Sequence, residues 1–318
     1  MIRWGIIGAG TIAHRFAESL AQVEQASLYA VANRTQEKAE AFKAKHQAEI
    51  AYSDYQALLD DPKVDFVYIA LPHRYHFEWI LQAIHAKKAI LCEKPLVLTA
   101  DELKELHAVW TREPIFFMEA MKSRFTPAYE QARKAILAGE IGELQKIETS
   151  LRRHMPKEGT TYHYLPVQGG CLLDMGIYNV SLIEDFIKTP LSLEELSATV
   201  HENGIETAVE ATLANDTITV TIESGFDVFK DAKAIFHGTT GTITIPDFHR
   251  PTRFEIKRDD LDVETIDCPY TIDDFYGEIT NAMTCYENGL YESPVMPLSD
   301  SLRCAEIIDQ LKAGIHAL

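Results

Sequence analysis

The sequence predicts an α/β chain: a doubly wound parallel sheet in the first half, then an α+β domain built on a large, open, mostly antiparallel sheet. Three observations carry this. Before Thr126, short and continuously apolar runs alternate with helix-like stretches, the pattern of a parallel sheet buried on both faces by crossover helices. After it, β-rich segments follow one another between turns, and Thr217-Ile218-Thr219-Val220-Thr221-Ile222 alternates polar with apolar, as a half-covered strand does. A glycine-rich turn joins the first apolar run to the first helical one. The 318 residues suit two domains, with the boundary expected at 121/122: 1–121, then 122–318, whose C-terminal helix is free to pack back on the first.

In order, strands are expected at Arg3–Ile7, Ser27–Ala32, Phe66–Ala70, Ala89–Cys92 and Ile115–Glu119. Helices are expected between them at 12–21, 36–45, 77–86 and 99–110, the last opened by Thr99 with Glu102 three residues on, a capping box. In the second half a helix over 127–138 ends at Gly139. Strands follow at 144–151, 195–201, 208–213, 217–223, 232–237 and 242–245, with helices at 176–188, 276–287 and 299–313.

Forty-eight acidic against thirty basic residues leave a formal charge of −18, which argues against nucleic acid as a partner. No apolar run reaches the ~20 residues needed to cross a bilayer, so no membrane partner is expected. The brief apolar start before Gly8 does not read as a secretory leader. Five cysteines without C-x-x-C spacing match neither a disulfide framework nor a zinc site, which suits a reduced, cytoplasmic protein.

Gly8-Ala9-Gly10-Thr11-Ile12-Ala13 has the form G-x-G-x-x-A. The first glycine permits a tight strand-to-helix turn, the second lets a pyrophosphate approach the backbone, and small Ala13 lets the helix pack on the sheet. The amides of Thr11 and Ile12 then open a helix whose N-terminus attracts anions. This reads as a dinucleotide-binding Rossmann domain. NAD-specific sites place an acid at the end of the second strand; here Ala32-Asn33-Arg34-Thr35 offers Asn33 and Arg34 instead. An arginine there suits a 2′-phosphate, so NADP(H) is favoured over NAD(H); the bland alternative is a solvated loop arginine.

Two further segments add a specific resemblance: Leu91-Cys92-Glu93-Lys94-Pro95-Leu96 after the fourth strand, and Gly169-Gly170-Cys171-Leu172-Leu173-Asp174-Met175-Gly176-Ile177-Tyr178 in the second half. With the glycine turn they resemble the Gfo/Idh/MocA oxidoreductases along nearly the whole chain. Phe117-Met118-Glu119-Ala120-Met121, Gly139-Glu140-Ile141-Gly142 and Glu292-Ser293-Pro294-Val295-Met296-Pro297 resemble the branch with dihydrodiol and D-xylose dehydrogenases. The resemblance implies an active site between the two domains, over the nicotinamide. It also implies a homodimer or homotetramer packed through the open sheet.

Lys94, with Glu93 before it, follows a strand at the carboxyl edge of the sheet, where doubly wound folds bind ligands, and both are expected among the cofactor-binding residues. With the motif around it, Lys94 is expected to hydrogen-bond the substrate oxygen and help take its proton. Asp174 and Tyr178 are spaced i, i+4 and are expected on one helix face. Tyr178 stands where many relatives carry histidine and is a candidate acid/base; the alternative is a core tyrosine. Asp174 is expected to orient Lys94 or hold a substrate hydroxyl, unless it is a plain helix-start carboxylate. Leu71, Pro72, His73 and His76 form the loop expected beside the nicotinamide ribose, with His73 where the family commonly has asparagine. That histidine pair lacks further ligands in sequence, so no metal is expected.

On the substrate side, Lys122 and His249 stand where relatives often carry aromatics, while Arg124, Arg152 and Arg153 face either a pocket or solvent. The expected activity is hydride transfer between nicotinamide and a secondary alcohol or carbonyl of a sugar, polyol or trans-dihydrodiol, a small polyhydroxylated partner. The alternatives are a non-catalytic NAD(P)-binding sensor and an NAD-dependent glycosidase of the same fold.

Overall fold

We describe residues 1–155 and 162–317 of a computed structural model. By its internal contacts the chain divides into two compact units, Met1–Met121 with Thr271–Leu302, and Lys122–Tyr270 with Arg303–Leu318.

The first unit holds strands β1 (Ile2–Ile7), β2 (Ala26–Ala32), β3 (Ile50–Tyr52), β4 (Phe66–Ile69), β5 (Ala89–Glu93) and β6 (Phe117–Ala120) in the order β3-β2-β1-β4-β5-β6. Every pairing is parallel, and the direction of strand succession reverses between β1 and β4. That reversal opens a crevice at the strands' carboxyl ends, where doubly wound sheets take their ligands. Helices α1 (Thr11–Leu20), α2 (Gln36–His46), α3 (Tyr55–Asp60), α4 (His76–His85) and α5 (Ala100–Trp110) make the crossovers. All four β4 residues are fully buried, as a strand covered on both faces requires. Stacked rings lock the layers, Trp4 on Phe66 at 4.1 Å and Phe16 of α1 on Tyr68 at 3.7 Å. The helix expected at 99–110 starts as predicted: the Thr99 hydroxyl accepts from the Glu102 amide and the Glu102 carboxylate from the Leu98 amide.

Thr271–Leu302, with α8 (Tyr276–Glu287), joins this unit, whereas a cut at 121/122 assigns it to the second. Phe275 of this segment meets Phe16 edge-on at 6.4 Å and Tyr286 meets Phe66 at 5.6 Å, and polar ties join them. Ser19 donates to Asp273 at 2.8 Å, Arg15 pairs with Asp274 at 2.5 Å, and Ser301 donates to buried Glu119 at 2.6 Å.

The second unit holds β7 (Leu144–Arg152), β8 (Ser192–Val200), β9 (Glu206–Ala214), β10 (Thr219–Gly225), β11 (Lys230–Gly238), β12 (Gly241–Pro246), β13 (Arg253–Arg258) and β14 (Glu264–Asp267). Their order is β14-β13-β12-β11-β7-β10-β9-β8, antiparallel except for the parallel β7–β10 pair. Helices α6 (Pro127–Leu137), α7 (Ile177–Phe186) and α9 (Leu298–His316, whose first turn counts with the first unit) complete the chain. One sheet face is apolar, with Ile147, Phe236, Ile243 and Ile256 in register and Phe186 of α7 packed on Phe236 at 4.7 Å.

The opposite face is a lattice of charge. Arg152 bridges Glu210 (2.8 Å) and Asp227 (2.6 Å), and Glu148 meets Lys146 (2.6 Å) and His237 (3.1 Å). Such a face tolerates water, so its exposure alone does not demand a cover. Arg124 is 1 % exposed and spends its guanidinium on the Ser181 hydroxyl and carbonyl (2.9 and 2.6 Å), which makes it a core residue of α7's seat.

Helix α1 also meets α2 through a histidine pair, His14 Nδ1 to His46 Nε2 at 2.6 Å, with Phe42 against both rings. One proton suffices for that bond, and a second forces like charges together. Burial lowers both pKa values, helped by Lys45. Groups held neutral this way bind fewer protons folded than unfolded, so their contribution is intact above the free imidazole pKa of ~6.5 and lost as pH falls below it. The urea midpoint of wild type is expected to fall more between pH 7.5 and 5.5 than that of His46→Gln. Equal falls contradict the pair's role.

Candidate functional site

The loops leaving β1, β4 and β5 meet at the carboxyl edge of the parallel sheet. Gly8 has φ +103°, and a Cβ there would stand 2.5 Å from the Ala70 carbonyl oxygen. Only glycine fits, on both counts. Gly10 caps α1 with a backbone any residue could adopt, and a Cβ there would meet nothing within 4 Å. Its lack of a side chain leaves space in front of the Thr11 and Ile12 amides, which no side chain caps. Ala13 is fully buried and sets α1 close on the sheet. The turn therefore has the open cradle that a pyrophosphate needs.

After β2, Asn33 folds back to accept from the Thr35 amide at 2.9 Å, and Arg34 extends from the loop. Its guanidinium stands 5.6 Å from the Tyr75 ring centroid and hydrogen-bonds the Tyr55 phenol, whose pKa is raised by burial and pulled back by that arginine. Arg34, Tyr55, Tyr75, Trp79, Leu71 and Pro72 line an open pocket of about 270 Å³. Arginine and flat apolar walls suit an adenosine bearing a 2′-phosphate.

His73 is 6 % exposed and lies edge-on to His76, their centroids 5.7 Å apart. His76 is wholly buried, with Nε2 at 2.8 Å from the Leu71 carbonyl and Nδ1 at 2.8 Å from the Pro95 carbonyl. Burial lowers its pKa, while the two carbonyls raise it. Its geometry fastens the β4 loop to the β5 loop, so its part in cofactor binding runs through the backbone it holds.

The β5 loop carries Glu93, Lys94 and a cis Lys94–Pro95 bond. The Glu93 carboxylate accepts from the Lys94 amide at 3.2 Å and, through its other oxygen, from the Tyr68 hydroxyl. The Leu96 amide donates at 3.0 Å to Glu119, 1 % exposed, whose second oxygen accepts from Ser301. Every anchor of this loop is buried or nearly so, and the Lys94 side chain leaves it half-exposed. Glu119 and Tyr68 are absent from the residues expected at the site. A lone glutamate within apolar Phe117–Met121 is the signal that marks the first of them.

In the second unit, Asp174 lies in a π-helical turn, Leu172–Gly176, which precedes α7 in place of the plain helix start expected at 176. It accepts from the Tyr162 hydroxyl at 3.2 Å and faces His163 Nε2 at 3.4 Å. Tyr178, 8 % exposed in the first turn of α7, meets the His249 ring edge-on at 5.9 Å. Glu206, buried and with its pKa raised by that burial, accepts from the Leu172 amide at 3.2 Å and packs on Gly170, so it seats the turn carrying Asp174. Among the described residues, no three His, Cys, Asp or Glu side chains gather as a metal site would require.

A parallel sheet in this order, with a glycine cradle and an arginine-lined pocket at its carboxyl edge, defines a dinucleotide-binding unit. Comparison with known proteins agrees: residues 2–119 match the family model "Oxidoreductase family, NAD-binding Rossmann fold", and 129–244 match "GFO/IDH/MocA C-terminal domain". The chain belongs to the Gfo/Idh/MocA oxidoreductase family. It is 32% identical to the trans-1,2-dihydrobenzene-1,2-diol dehydrogenase of Mus musculus, covering 99% of this chain and 97% of that one. The scyllo-inositol 2-dehydrogenase (NADP+) of Bacillus subtilis is 29% identical over 98% of this chain and 96% of its own. Among solved structures, a 3-ketoreductase from Actinomadura kijaniata in complex with NADP and TDP-benzene superposes with a TM-score of 0.88 at 27% identity, covering 98% of this chain and 97% of that one.

The two glycines separate folding from binding. Gly8→Ala is expected to cost about 2 kcal/mol or more in urea unfolding, through strain at positive φ and the Ala70 contact. Gly10→Ala is expected to stay within about 1 kcal/mol of wild type while losing NADP binding in a fluorescence titration. Gly10→Ala that binds normally contradicts the cradle.

Proposed function

We propose that the chain is an NADP(H)-dependent dehydrogenase or reductase acting on a secondary alcohol or carbonyl of a sugar, polyol or trans-dihydrodiol. The observation that carries the reading is the anchored β5 loop with Lys94, beside a cradle and an arginine pocket in one unit. The relatives' diol, inositol and keto-sugar chemistries share a carbon bearing one hydroxyl or oxo oxygen. The absence of an acid at the end of β2, with Arg34 in its place, favours NADP over NAD.

The Gly10 cradle and the Arg34 pocket would hold NADP(H), which would supply the hydride chemistry at the alcohol carbon. The alcohol proton must leave as the carbonyl forms, and we assign its handling to Lys94 and Tyr178. The Lys94 ammonium donates to the substrate oxygen, while Tyr178 as phenolate accepts the alcohol proton and passes it to solvent, and as phenol returns it in the reverse reaction. Asp174, paired with His163, is assigned to hold a neighbouring hydroxyl. Binding and orientation come from the chain's fixed loops, which hold these groups without reorganisation at the moment of reaction.

We further propose a homodimer or homotetramer formed through the charged face of the eight-stranded sheet. The five cysteines, all free and buried, suit the reducing cytoplasm in which we place it. Among the described residues no helix is long and apolar enough to cross a membrane.

The test is a screen at 340 nm with NADP against inositols, aldoses and trans-dihydrodiols. Lys94→Met and Tyr178→Phe are expected to lower kcat by about 10²–10⁴-fold with NADP affinity retained. Mutants at full rate, or no turnover on any polyol, overturn the assignment. Light scattering of the same sample is expected to give a multiple of 35.8 kDa, and a monomer removes the assembly proposal.

A further inference from the structure

The pocket after β2 has a charge problem that Arg34 does not solve by itself. Asp54 and Glu78 line it together with Arg34, so the three side chains sum to a negative charge. A 2′-phosphate brings about −1.5 to −2 more. Asp54 is partly occupied, since Oδ1 accepts from the Gln56 amide at 3.1 Å as the cap of α3, but its charge remains. An anion is held there only with a second cation at hand.

The structure supplies one through Tyr75. Its ring centroid stands 5.6 Å from the Arg34 guanidinium and 4.6 Å from that of Arg74, and Arg74 Nη2 donates to the Tyr75 hydroxyl at 2.6 Å. One half-exposed ring thus gathers two guanidinium groups at the edge of the pocket it lines. The ring's negative faces favour both cations, and the phenol oxygen takes one donor of Arg74 and leaves the rest of its fork open.

We infer that Arg74 and Tyr75 are specificity-determining residues for the 2′-phosphate: Arg74 is a second cation for it, and Tyr75 orients both arginines. This rests on the reading of NADP as the preferred cofactor. The preference then comes from two loops, one after β2 and one after β4, and not from Arg34 alone.

The test uses the full chain and two probes of the adenosine end alone, 2′,5′-ADP and 5′-AMP, titrated calorimetrically at low salt. Arg34→Ala is the reference. Arg74→Ala is expected to weaken 2′,5′-ADP about fivefold, the upper range for an exposed pair, and to flatten its salt dependence. Tyr75→Phe keeps the ring and is expected to match Arg74→Ala in part. Tyr75→Leu also removes the ring's hold on Arg34 and should cost a further two- to fivefold or so. Arg74→Ala and Tyr75→Phe, which keep the pocket's ring wall, are expected to bind 5′-AMP as wild type does, and Tyr75→Leu is expected to lose more on 2′,5′-ADP than on 5′-AMP, which separates a lost phosphate contact from a damaged fold.

Arg74→Ala and Tyr75→Leu that bind 2′,5′-ADP like wild type, while Arg34→Ala does not, overturn the inference and leave the NADP reading standing. Equal losses on both probes overturn it as well, by reducing the two residues to general support of the loop. A wild type that binds 2′,5′-ADP no better than 5′-AMP removes the NADP reading itself.

Discussion

The first unit depends on backbone-to-backbone contact at the carboxyl edge of its parallel sheet. Three loops, after β1, β4 and β5, converge there in close contact. Gly8 lies against the Ala70 carbonyl, and His76 fills the remaining gap by facing the Leu71 and Pro95 carbonyls with its two ring nitrogens. Where three strand ends crowd together, any extra atom must displace a neighbour. That leaves the cradle at Gly10 and the pocket at Arg34 as the places where the backbone stands open.

Beneath this edge the support is two carboxyl groups held by amide and hydroxyl donors. Glu119 is buried and Glu93 half-buried, and a buried carboxylate left without donors would cost several kcal/mol. Both are occupied: Glu119 by the Leu96 amide and Ser301, Glu93 by the Lys94 amide and Tyr68. Burial and the Glu93 charge push the Tyr68 phenol well up, so it stays a donor. The loop bearing Lys94 is thereby tied to β4, to β6 and to a segment from late in the chain. In the second unit Glu206 does the corresponding work for the turn that carries Asp174. The loop with Lys94 and the turn with Asp174 thus each stand on a buried acid, Glu119 and Glu206.

What was legible follows from how local the signal is. Strands such as Phe66–Ile69 read from continuous apolarity, and α5 from its Thr99–Glu102 cap, because both are written in neighbouring residues. The three-residue β3 and the six-residue α3 fall below any useful period, and the short strands β13 and β14 alternate too briefly, with Phe254 and Ile256 the only apolar inward pair on the first. The return of Thr271–Leu302 to the first unit rests on bonds 254 and 259 positions apart in sequence, which no local pattern announces. The site divides in the same way. The glycine turn, Lys94 and Tyr178 sit in contiguous motifs, whereas the stack of Arg34 on Tyr75 and the Glu119 anchor exist only once separate strands lie side by side.

The central claim is that this chain moves a hydride from a hydroxyl-bearing carbon to NADP, and isotopic transfer tests it most directly. The measurement is the mass of the NADPH formed when purified protein oxidises a polyol deuterated at its carbinol carbons. The account predicts cofactor heavier by one deuterium per molecule, formed in step with the carbonyl product. Unlabelled NADPH, or substrate consumed with no net reduction of the cofactor, would contradict it.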